Sequence, residues 1–453
     1  MSPTNNKLRV LLVPDSIYWA TGTIAKYIAQ YNPWIEATIC SGRVVHRLLS
    51  LVPELPQRFD LVHFVSDASM SMLTQFRSHI PVVTTIHHVL SWETEKHNVK
   101  GDALMVAAPQ WRDELVRHGV ERDSMVLVPY GVDCNVFAPL PIDQRQKARR
   151  RLGFQDHEFV IGFIAKQSSN DGGRKGIDIF EASAVAVARQ LANSAVLLIG
   201  MGWKDLVARL REQRVKCVWV PFVSQHAELT QLYNSMDCYW VTSRVEGGPL
   251  PLLEAMSCGV PCISTPVGLA KEIIDDGRNA FHVAMNDVAA IVARTKDLAA
   301  SEGLRTTVGQ AAKEAIFQHH RCEVVTRRVS ELYELAEKRF AERSAKVPTA
   351  EIKTIVRVCD TASRPTLRDG ESLNGLPVSL HRWVREEEKV NWILWMAQMR
   401  QHRELVVAVA ELMPRSLRQW EMWPRFAMAF LPPGMAALIR RLRGTPRVSS
   451  PTG

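Results

Sequence analysis

The feature that most constrains the fold of this chain is a regular alternation of short apolar segments with amphipathic segments of about ten residues. In the N-terminal half, helices are predicted at GTIAKYIAQY (22–31) and PQWRDELVRHG (109–119). Buried strands are predicted at LRVLLV (8–13), EATIC (36–40), LVHFVS (61–66) and PVVTTIH (81–87). The alternation is typical of a parallel sheet with helices on both faces, as in Rossmann-like α/β domains.

The same alternation restarts after residue 157, which indicates a second domain of the same class. Its predicted strands are FVIGFIAK (159–166), SAVLLIGMG (194–202), KCVWVPF (216–222), CYWVTS (238–243) and PCISTP (261–266). The charged, proline-containing segment 141–157 is predicted to be a linker between an N-terminal domain, 1–140, and a C-terminal domain, 158–325. Because ligands of parallel α/β sheets bind beyond the carboxyl ends of the strands, we expect two Rossmann-like domains facing each other across a cleft.

The composition of the chain limits the kinds of partner it can bind and the cellular compartment in which it is expected. A net charge of +9 favours anionic partners, which include phosphates, anionic lipids and nucleic acid. Eight cysteines occur without a C-x-x-C pair, a usage that favours reduced thiols over disulfides or a zinc site. The first apolar run is too short for a signal peptide, and no run of about 18 apolar residues occurs. We therefore expect a cytoplasmic protein with at most peripheral membrane contact.

The stretch SRVEGGPLPLLEAMSCGVPCIS (243–264) carries the main chemical signal of the chain. It places Glu246 in a loop after a strand and Glu254 one turn into a helix that Gly259 is predicted to end. Free amides at the start of that helix favour an anion such as a diphosphate, and the two carboxylates can accept hydrogen bonds from sugar and ribose hydroxyls. The eight-residue spacing by itself is equally compatible with an alternative in which Glu246 is solvated and Glu254 lies on the surface of the helix, without a ligand.

Five motifs of this chain resemble motifs of the family 4 retaining glycosyltransferases, which have the GT-B fold, and they occur in the same order as in that family. The segment 246–268 resembles the E-x7-E signature of that family, and the resemblance extends over about residues 8–345. The other four motifs are PVVTTIHH (81–88), LVPYGVDCNVF (127–137), FIAKQSSNDGGRKGIDIF (163–180) and LLIGMG (197–202). Several motifs in the order of one family are hard to obtain by chance.

The resemblance implies a role for each matching position. Lys166 and Lys175 match two cationic positions for the donor diphosphate, and Arg174 is a neighbour that could substitute. His87 matches a residue that contacts the donor sugar, whereas His88 is interpreted as an ordinary histidine at a strand end. Glu246 matches a sugar-binding carboxylate and not a nucleophile. The catalytic set is thus His87, Glu246, Lys166 and Lys175, and the donor-binding set is Gly22, Gly247, Gly248, Leu250 and Glu254.

Some positions depart from the family pattern. The loop after the first strand offers only Gly22, where two glycines are common. Gly248 and Pro249 stand where an aromatic residue and a glycine are frequent, and Leu269 follows Gly268 where a second glycine is usual. A small polar insertion, QSSNDGGR (167–174), separates Lys166 from Lys175.

The implied reaction is transfer of a sugar from a nucleotide-sugar donor to a glycan or lipid-linked acceptor, in bacterial surface polysaccharide or glycolipid synthesis. The family implies retention of configuration by front-face attack. No metal or other cofactor is expected, and the chain contains no Asp-x-Asp sequence. Two alternatives are another GT-B enzyme, such as a sugar-nucleotide epimerase, and a non-catalytic scaffold that binds a sugar nucleotide.

The C-terminal part of the chain lies beyond the resemblance. A closing helix is predicted at 326–346, and in the family such a helix returns to the first domain. The remaining segment, 350–453, is expected to be mainly helical and is basic, with 16 basic and 10 acidic residues from 351 onward and five tryptophans. It is predicted either to pack on the catalytic domains or a partner subunit, or to contact an anionic membrane surface. Nucleic acid is not expected, because no binding motif accompanies the charge.

Overall fold

The computed structural model describes residues 7–166, 173–345 and 388. Residues 7–345 belong to one compact unit of the chain, and their strands form two parallel six-stranded sheets. The strands are β1 Leu8–Val13, β2 Ile35–Ile39, β3 Leu61–Phe64, β4 Val82–Ile86, β5 Ala103–Val106, β6 Met125–Leu127, β7 Phe159–Ile164, β8 Ser194–Ile199, β9 Lys216–Val220, β10 Cys238–Val241, β11 Cys262–Ser264 and β12 Phe281–His282.

The helices separate these strands and cover both faces of the sheets. They are α1 Ala20–Tyr31, α2 Gly42–Leu51, α3 Met70–Arg77, α4 Trp92–Glu95, α5 Pro109–Arg117, α6 Ile142–Arg151, α7 Ile177–Gln190, α8 Lys204–Glu212, α9 His226–Asn234, α10 Leu250–Ser257, α11 Ala270–Ile273, α12 Val288–Ala300, α13 Glu302–His319 and α14 Cys322–Ala345. Short 3-10 turns occur at Leu55–Arg58, Asn98–Lys100 and Arg122–Ser124.

The first sheet has the strand order β2-β1-β3-β4-β5-β6, with every pair parallel. Its strands are apolar because both faces are covered, and β3, β4 and β5 are buried along their whole length. The chain order reverses between β1 and β3. The loops that follow these two strands therefore diverge, which opens a crevice at the carboxyl edge of the sheet.

The second sheet has the order β12-β11-β10-β7-β8-β9, again with parallel pairs. Read from β9, this is the order 3-2-1-4-5-6 that is found in dinucleotide-binding domains. Its chain order reverses between β7 and β10, so the crevice of this sheet lies where those two strands end. The prediction of two Rossmann-like domains is confirmed.

The long helix α14 starts beside the second domain and packs against the first. Thr326 donates to the carbonyl of Tyr31 over 3.0 Å, and the hydroxyl of Tyr333 lies 3.1 Å from Nδ1 of buried His63. Near its end, Arg343 donates to the carboxylate of Asp102 over 2.9 Å. The helix therefore holds the first domain at several points along its length.

The segment 141–157, which was predicted to be a linker, contains a helix that packs on the second domain. Residues 142–151 form α6, and two of its arginines point into the second domain. Arg145 and Arg149 both pair with Asp237, at 2.6 and 2.9 Å, and Arg149 is 1% exposed. Phe154 is also buried. The charge of this segment is thus used partly in ion pairs of the second domain, while residues such as Arg150 and Arg151 are exposed. The predicted domain boundaries stay a prediction.

The predicted extension 350–453 lies outside the described residues except for the single position 388. Residues 167–172, most of the polar insertion, are likewise outside them. In the part of the chain that the structure describes, no helix combines the length and apolar character needed to span a bilayer.

Candidate functional site

The reversal of strand order in the second sheet locates the candidate site. The chain leaves β7 at Ile164 and reaches Lys166 two residues later, whereas β10 ends at Val241 and leads directly into the loop that carries Glu246. The next helix, α10, begins at Leu250, with Pro251 in its first turn, and ends before Gly259, whose φ is +71°. A left-handed residue at this point ends a helix, as the sequence predicted.

The centre of the site is an ion pair between Glu246 and the loop before α7. Lys175 Nζ lies 2.5 Å from Glu246 Oε1, and Arg174 Nη1 lies 3.5 Å from Oε2. The hydroxyl of Ser243 donates to Oε1 over 2.8 Å. The structure therefore brings together two of the predicted catalytic residues, Lys175 and Glu246, with Arg174 as a second cation.

The charge state of Glu246 follows from these contacts. The residue is 6% exposed, and burial alone would raise the pKa of its carboxyl group. The positive charges of Lys175 and Arg174, together with hydrogen bonds from Lys175 and Ser243, outweigh burial and hold the pKa below its ordinary value. Glu246 is thus an anion at neutral pH, and Oε2, with one long contact, keeps the capacity to accept another hydrogen bond.

Arg244 fixes the cationic loop relative to the signature loop. Its guanidinium donates to both carboxylate oxygens of Asp178, at 2.8 and 2.6 Å, and to the carbonyl of Gly173 at 2.9 Å. Its backbone N–H donates to the carbonyl of Arg174 over 2.7 Å. Arg244 was not predicted from the sequence, although its position two residues before Glu246 gives it access to the segment that carries Lys175.

Lys166 lies on the side of the site that faces the first domain. Its ammonium nitrogen is 5.7 Å from the ring centroid of Trp19, in the loop after β1, a distance that permits a cation–π contact. Burial lowers the pKa of Lys166, and the nearby charge of Asp15 partly opposes this effect. Trp19 also packs against Phe222 of the second domain, with 4.8 Å between ring centroids.

Glu254 lies in the apolar interior at the other end of the signature. It is 4% exposed, and its Oε2 accepts a hydrogen bond of 2.6 Å from the hydroxyl of Tyr233. Burial raises the pKa of Glu254 to about 8, and the bond from Tyr233 only partly offsets this. The carboxyl group is therefore mostly protonated at neutral pH, whereas the sequence reasoning treated it as an ionised acceptor.

His87 follows β4 and is bonded within the first domain. Its Nε2 donates to the carbonyl of Val65 over 2.7 Å, so the neutral ring accepts at Nδ1 from the hydroxyl of Tyr130. Burial lowers the pKa of His87, although hydrogen bonding to Val65 and the charges of Asp67 and Asp15 act in the opposite direction. Both ring nitrogens are thus occupied in this structure, and the predicted contact with a donor sugar stays a prediction.

His88 lies closer to the ion pair than its interpretation as an ordinary histidine implied. Burial and the charge of Arg174 lower its pKa to about 4, while the charge of Glu246 acts to raise it. Its Nδ1 is buried and, among the described residues, has no hydrogen-bond partner. The histidine pair after β4 therefore has one ring held within the first domain and one ring within the electrostatic field of the site.

The two glycines of the signature loop lie tightly against the first domain. A Cβ built on Gly247 would lie 2.1 Å from the carbonyl oxygen of His87, and one on Gly248 would lie 2.7 Å from the ring of Tyr130. The indole N–H of Trp111, on α5, donates to the carbonyl of Glu246 over 2.9 Å. Trp111 was missed from the sequence, because nothing in its local pattern distinguishes it from a packing residue.

The two other predicted donor-binding residues have packing reasons for their identity. A Cβ on Gly22 would lie 2.4 Å from the carbonyl oxygen of Ser16, so α1 can lie against the loop after β1 only with glycine there. Leu250 is buried at the start of α10. Among the described residues, no group of three or more His, Cys, Asp or Glu side chains is arranged to hold a metal ion.

Two family models match the chain, one on each domain. Residues 22–136 match the model described as Glycosyltransferase Family 4, and residues 144–315 match the model described as Glycosyl transferases group 1. The two matched ranges together take in both sheets except for strand β1 at the start of the first.

Relatives among characterised proteins are distant. The chain is 26% identical over 356 residues to N-acetyl-alpha-D-glucosaminyl L-malate synthase of Bacillus anthracis, an alignment that covers 72% of this chain and 86% of that protein. It is 26% identical to alpha-galactosylglucosyldiacylglycerol synthase of Streptococcus pneumoniae, over 43% of this chain and 54% of that protein. The alignment with the second relative thus spans about half of its length.

Solved structures share the fold at low identity. The Anabaena protein HepE in complex with UDP-glucose is 18% identical, with a TM-score of 0.59, and the match covers 72% of this chain and 99% of that one. A sucrose-phosphate synthase from Thermosynechococcus elongatus is 16% identical, with a TM-score of 0.55, over 72% of this chain and 98% of that one. At these identities the likeness shows the two-domain fold alone.

Proposed function

This chain belongs to the family 4 glycosyltransferases with the GT-B fold, and from that membership we propose the reaction that it catalyses. It moves a sugar from a nucleotide-sugar donor to a hydroxyl of a glycan or lipid-linked acceptor, with retention at the anomeric carbon and without a metal ion. Relatives that are named for glycolipid and lipopolysaccharide synthesis support a role in bacterial surface glycans.

The observation that carries this proposal is the cationic cluster at the carboxyl edge of the second sheet. Lys175 and Arg174 pair with Glu246, and Lys166 follows the neighbouring strand β7 by two residues, so three cations border the point where strand order reverses. When the glycosidic bond to the nucleotide breaks, negative charge grows on the diphosphate. Fixed cations that are already in place stabilise this charge without reorganisation, which lowers the barrier.

Front-face attack gives each group a defined task. The acceptor oxygen forms a bond to the anomeric carbon on the face from which the nucleotide leaves, and the bond between that carbon and the diphosphate oxygen breaks. The acceptor proton passes to the leaving diphosphate. Glu246, held as an anion by Lys175, accepts hydrogen bonds from the donor sugar. Glu254, whose carboxyl group is mostly protonated without a ligand, binds the ribose through that carboxyl group.

The proposed location is the cytoplasm, at the inner face of the membrane when the acceptor is lipid-linked. The basic composition of residues 351–453 supports this location, because a net charge of +6 there is attracted to anionic lipids. A partner subunit is the alternative for the same segment.

The test is an assay of the full chain with a panel of nucleotide sugars, with and without lipid-linked and oligosaccharide acceptors. Because HepE was solved with UDP-glucose, UDP-sugars come first. We expect nucleotide release that depends on acceptor, continues in EDTA, and yields a product whose anomeric NMR signals show retention. An altered sugar nucleotide without acceptor would indicate an epimerase, and tight donor binding without turnover would indicate a scaffold. An inverted product would refute the front-face mechanism.

A further inference from the structure

The signature loop of the second domain is completed by residues of the first. Three first-domain groups contact residues 246–248: the carbonyl of His87, the ring of Tyr130 and the indole N–H of Trp111. We refer to these three contacts as the interdomain latch. We propose that Trp111 is a positioning residue, whose N–H orients the loop that carries Glu246 only when the two domains are together.

The interdomain latch acts on the backbone carbonyl of Glu246. The contacts of the Glu246 side chain do not involve this carbonyl. The side chain is fixed from within the second domain, since Lys175 and Ser243 both bond to Oε1. The carbonyl of the same residue points toward the first domain, and among the described residues its hydrogen-bond donor is Trp111, at 2.9 Å. The second domain therefore holds the side chain of Glu246, and the first domain holds its backbone carbonyl.

The two glycines make this contact geometrically selective. Because Gly247 lies against the His87 carbonyl and Gly248 against the Tyr130 ring, the loop reaches the first domain only without side chains. Behind the loop, Leu269 N–H donates to the Gly247 carbonyl over 3.0 Å, so the loop is sandwiched between two walls. Separation of the domains removes one wall and leaves the Glu246 peptide unit without that donor.

The inference rests on the proposed transferase function and adds a consequence for its kinetics. If the first contact of the donor is with the second domain, donor binding does not need the latch, whereas the chemical step needs Glu246 in its final orientation. An interaction present only in the assembled state lowers kcat and kcat/KM together when it is lost and leaves the KM for the donor unchanged. Loss of the Trp111 hydrogen bond should therefore lower kcat and leave the donor KM unchanged.

The experiment compares Trp111→Phe, which keeps an aromatic ring and loses the N–H, with Trp34→Phe, which changes a tryptophan that is 55% exposed. For Trp111→Phe we expect kcat to fall about tenfold, the effect of one lost hydrogen bond, with the donor KM within about twofold of wild type. Hydrogen–deuterium exchange of the empty protein should be faster in peptides that cover residues 244–253. Trp34→Phe should match wild type in all three measurements.

Two results would overturn the inference. One is a Trp111→Phe protein with wild-type kcat and wild-type exchange in residues 244–253. The other is a raised donor KM at unchanged kcat, which would place the effect in ground-state binding. The exchange measurement needs no turnover, so it tests the latch even if no nucleotide sugar is a substrate. Failure of the proposed function shows instead as a wild-type protein that releases no nucleotide with any donor.

Discussion

The two glutamates of the signature are eight positions apart, and the fold gives them opposite environments. Glu246 lies between two cations and a hydroxyl, and its pKa is held below the ordinary value although it is buried. Glu254 is equally buried, has Tyr233 as its neutral hydrogen-bond partner among the described residues, and has its pKa raised to about 8. Burial is the same, so the difference comes from the neighbours.

This contrast shows that the spacing of a motif does not fix the protonation state of its members. The loop after β10 aims Glu246 at the cationic segment before α7, whereas α10 turns Glu254 toward α9 and the apolar core. One carboxylate is therefore prepared as a permanent anion. The other is mostly neutral until a ligand or a rise in pH changes it.

The largest expected effect comes from Lys175→Met, which removes the ion pair at the Glu246 end of the signature. This change removes the cation nearest Glu246 and one charge on the proposed diphosphate site. We expect kcat/KM for the donor to fall by about 10² to 10³, the range seen when one preorganised donor is lost from a site of developing negative charge. The measurement is nucleotide release at a series of donor concentrations.

Two further variants separate charge from folding in this experiment. Lys175→Arg keeps the charge and should recover part of the activity, while Lys204→Met removes an exposed lysine at the start of α8 and should have no effect. Thermal unfolding of each protein records any loss of stability. A Lys175→Met enzyme with wild-type kcat/KM would remove Lys175 from the proposed mechanism.

Most of the fold follows from local patterns in the sequence. Nine of the predicted segments are strands that rely on continuous apolar runs, and such runs become buried parallel strands because helices cover both faces. The strand Ala103–Val106 was not predicted, since its four apolar residues run into Ala107 and Ala108 and then a helix. Strand Phe281–His282 is too short for any pattern to reveal.

The candidate site was only partly predictable, and the reason is the range of the contacts. Lys175 and Glu246 could be assigned because each lies in a segment that resembles a family motif. Trp111 lies 135 positions from Glu246 and Tyr233 lies 21 from Glu254, and neither partner is marked by local sequence. Their importance depends on how helices pack on the sheet, which one-dimensional periodicity does not contain.

A smaller effect is expected for Glu254, the mostly protonated glutamate of the signature. It appears in the pH dependence of the free energy of unfolding. A carboxyl whose pKa rises from 4.5 to about 8 on folding stabilises the folded state fully below pH 4.5 and loses that contribution as pH rises through 8. Between pH 6 and 8, wild type should lose up to about 2 kcal/mol of unfolding free energy that Glu254→Gln does not lose. Urea unfolding at the two pH values measures this.

Glu246→Gln provides the opposite case for the same experiment. The lowered pKa of Glu246 gives a contribution that is present above the pKa of the unfolded carboxyl and is lost only as pH falls. Its removal should therefore leave the slope between pH 6 and 8 equal to that of wild type. Equal slopes for wild type and Glu254→Gln would show that Glu254 is ionised in the folded protein, and the contrast between the two glutamates would not hold.

The smallest expected effect comes from Tyr233→Phe, which removes the hydrogen bond from the Tyr233 hydroxyl to Glu254 and leaves the packing in place. We expect a loss of about 1 kcal/mol in the free energy of unfolding, because a buried carboxyl oxygen loses its donor. Because the Tyr233 hydroxyl lowers the pKa of Glu254, its loss should also move the decline in stability to higher pH. Ser183→Ala is the control, since the Ser183 hydroxyl on α7 is buried, with 0% of the residue exposed, and has no hydrogen-bond partner among the described residues. Removing that hydroxyl should leave stability unchanged or slightly raised, so equal losses in the two variants would show that the Tyr233 bond does not stabilise Glu254.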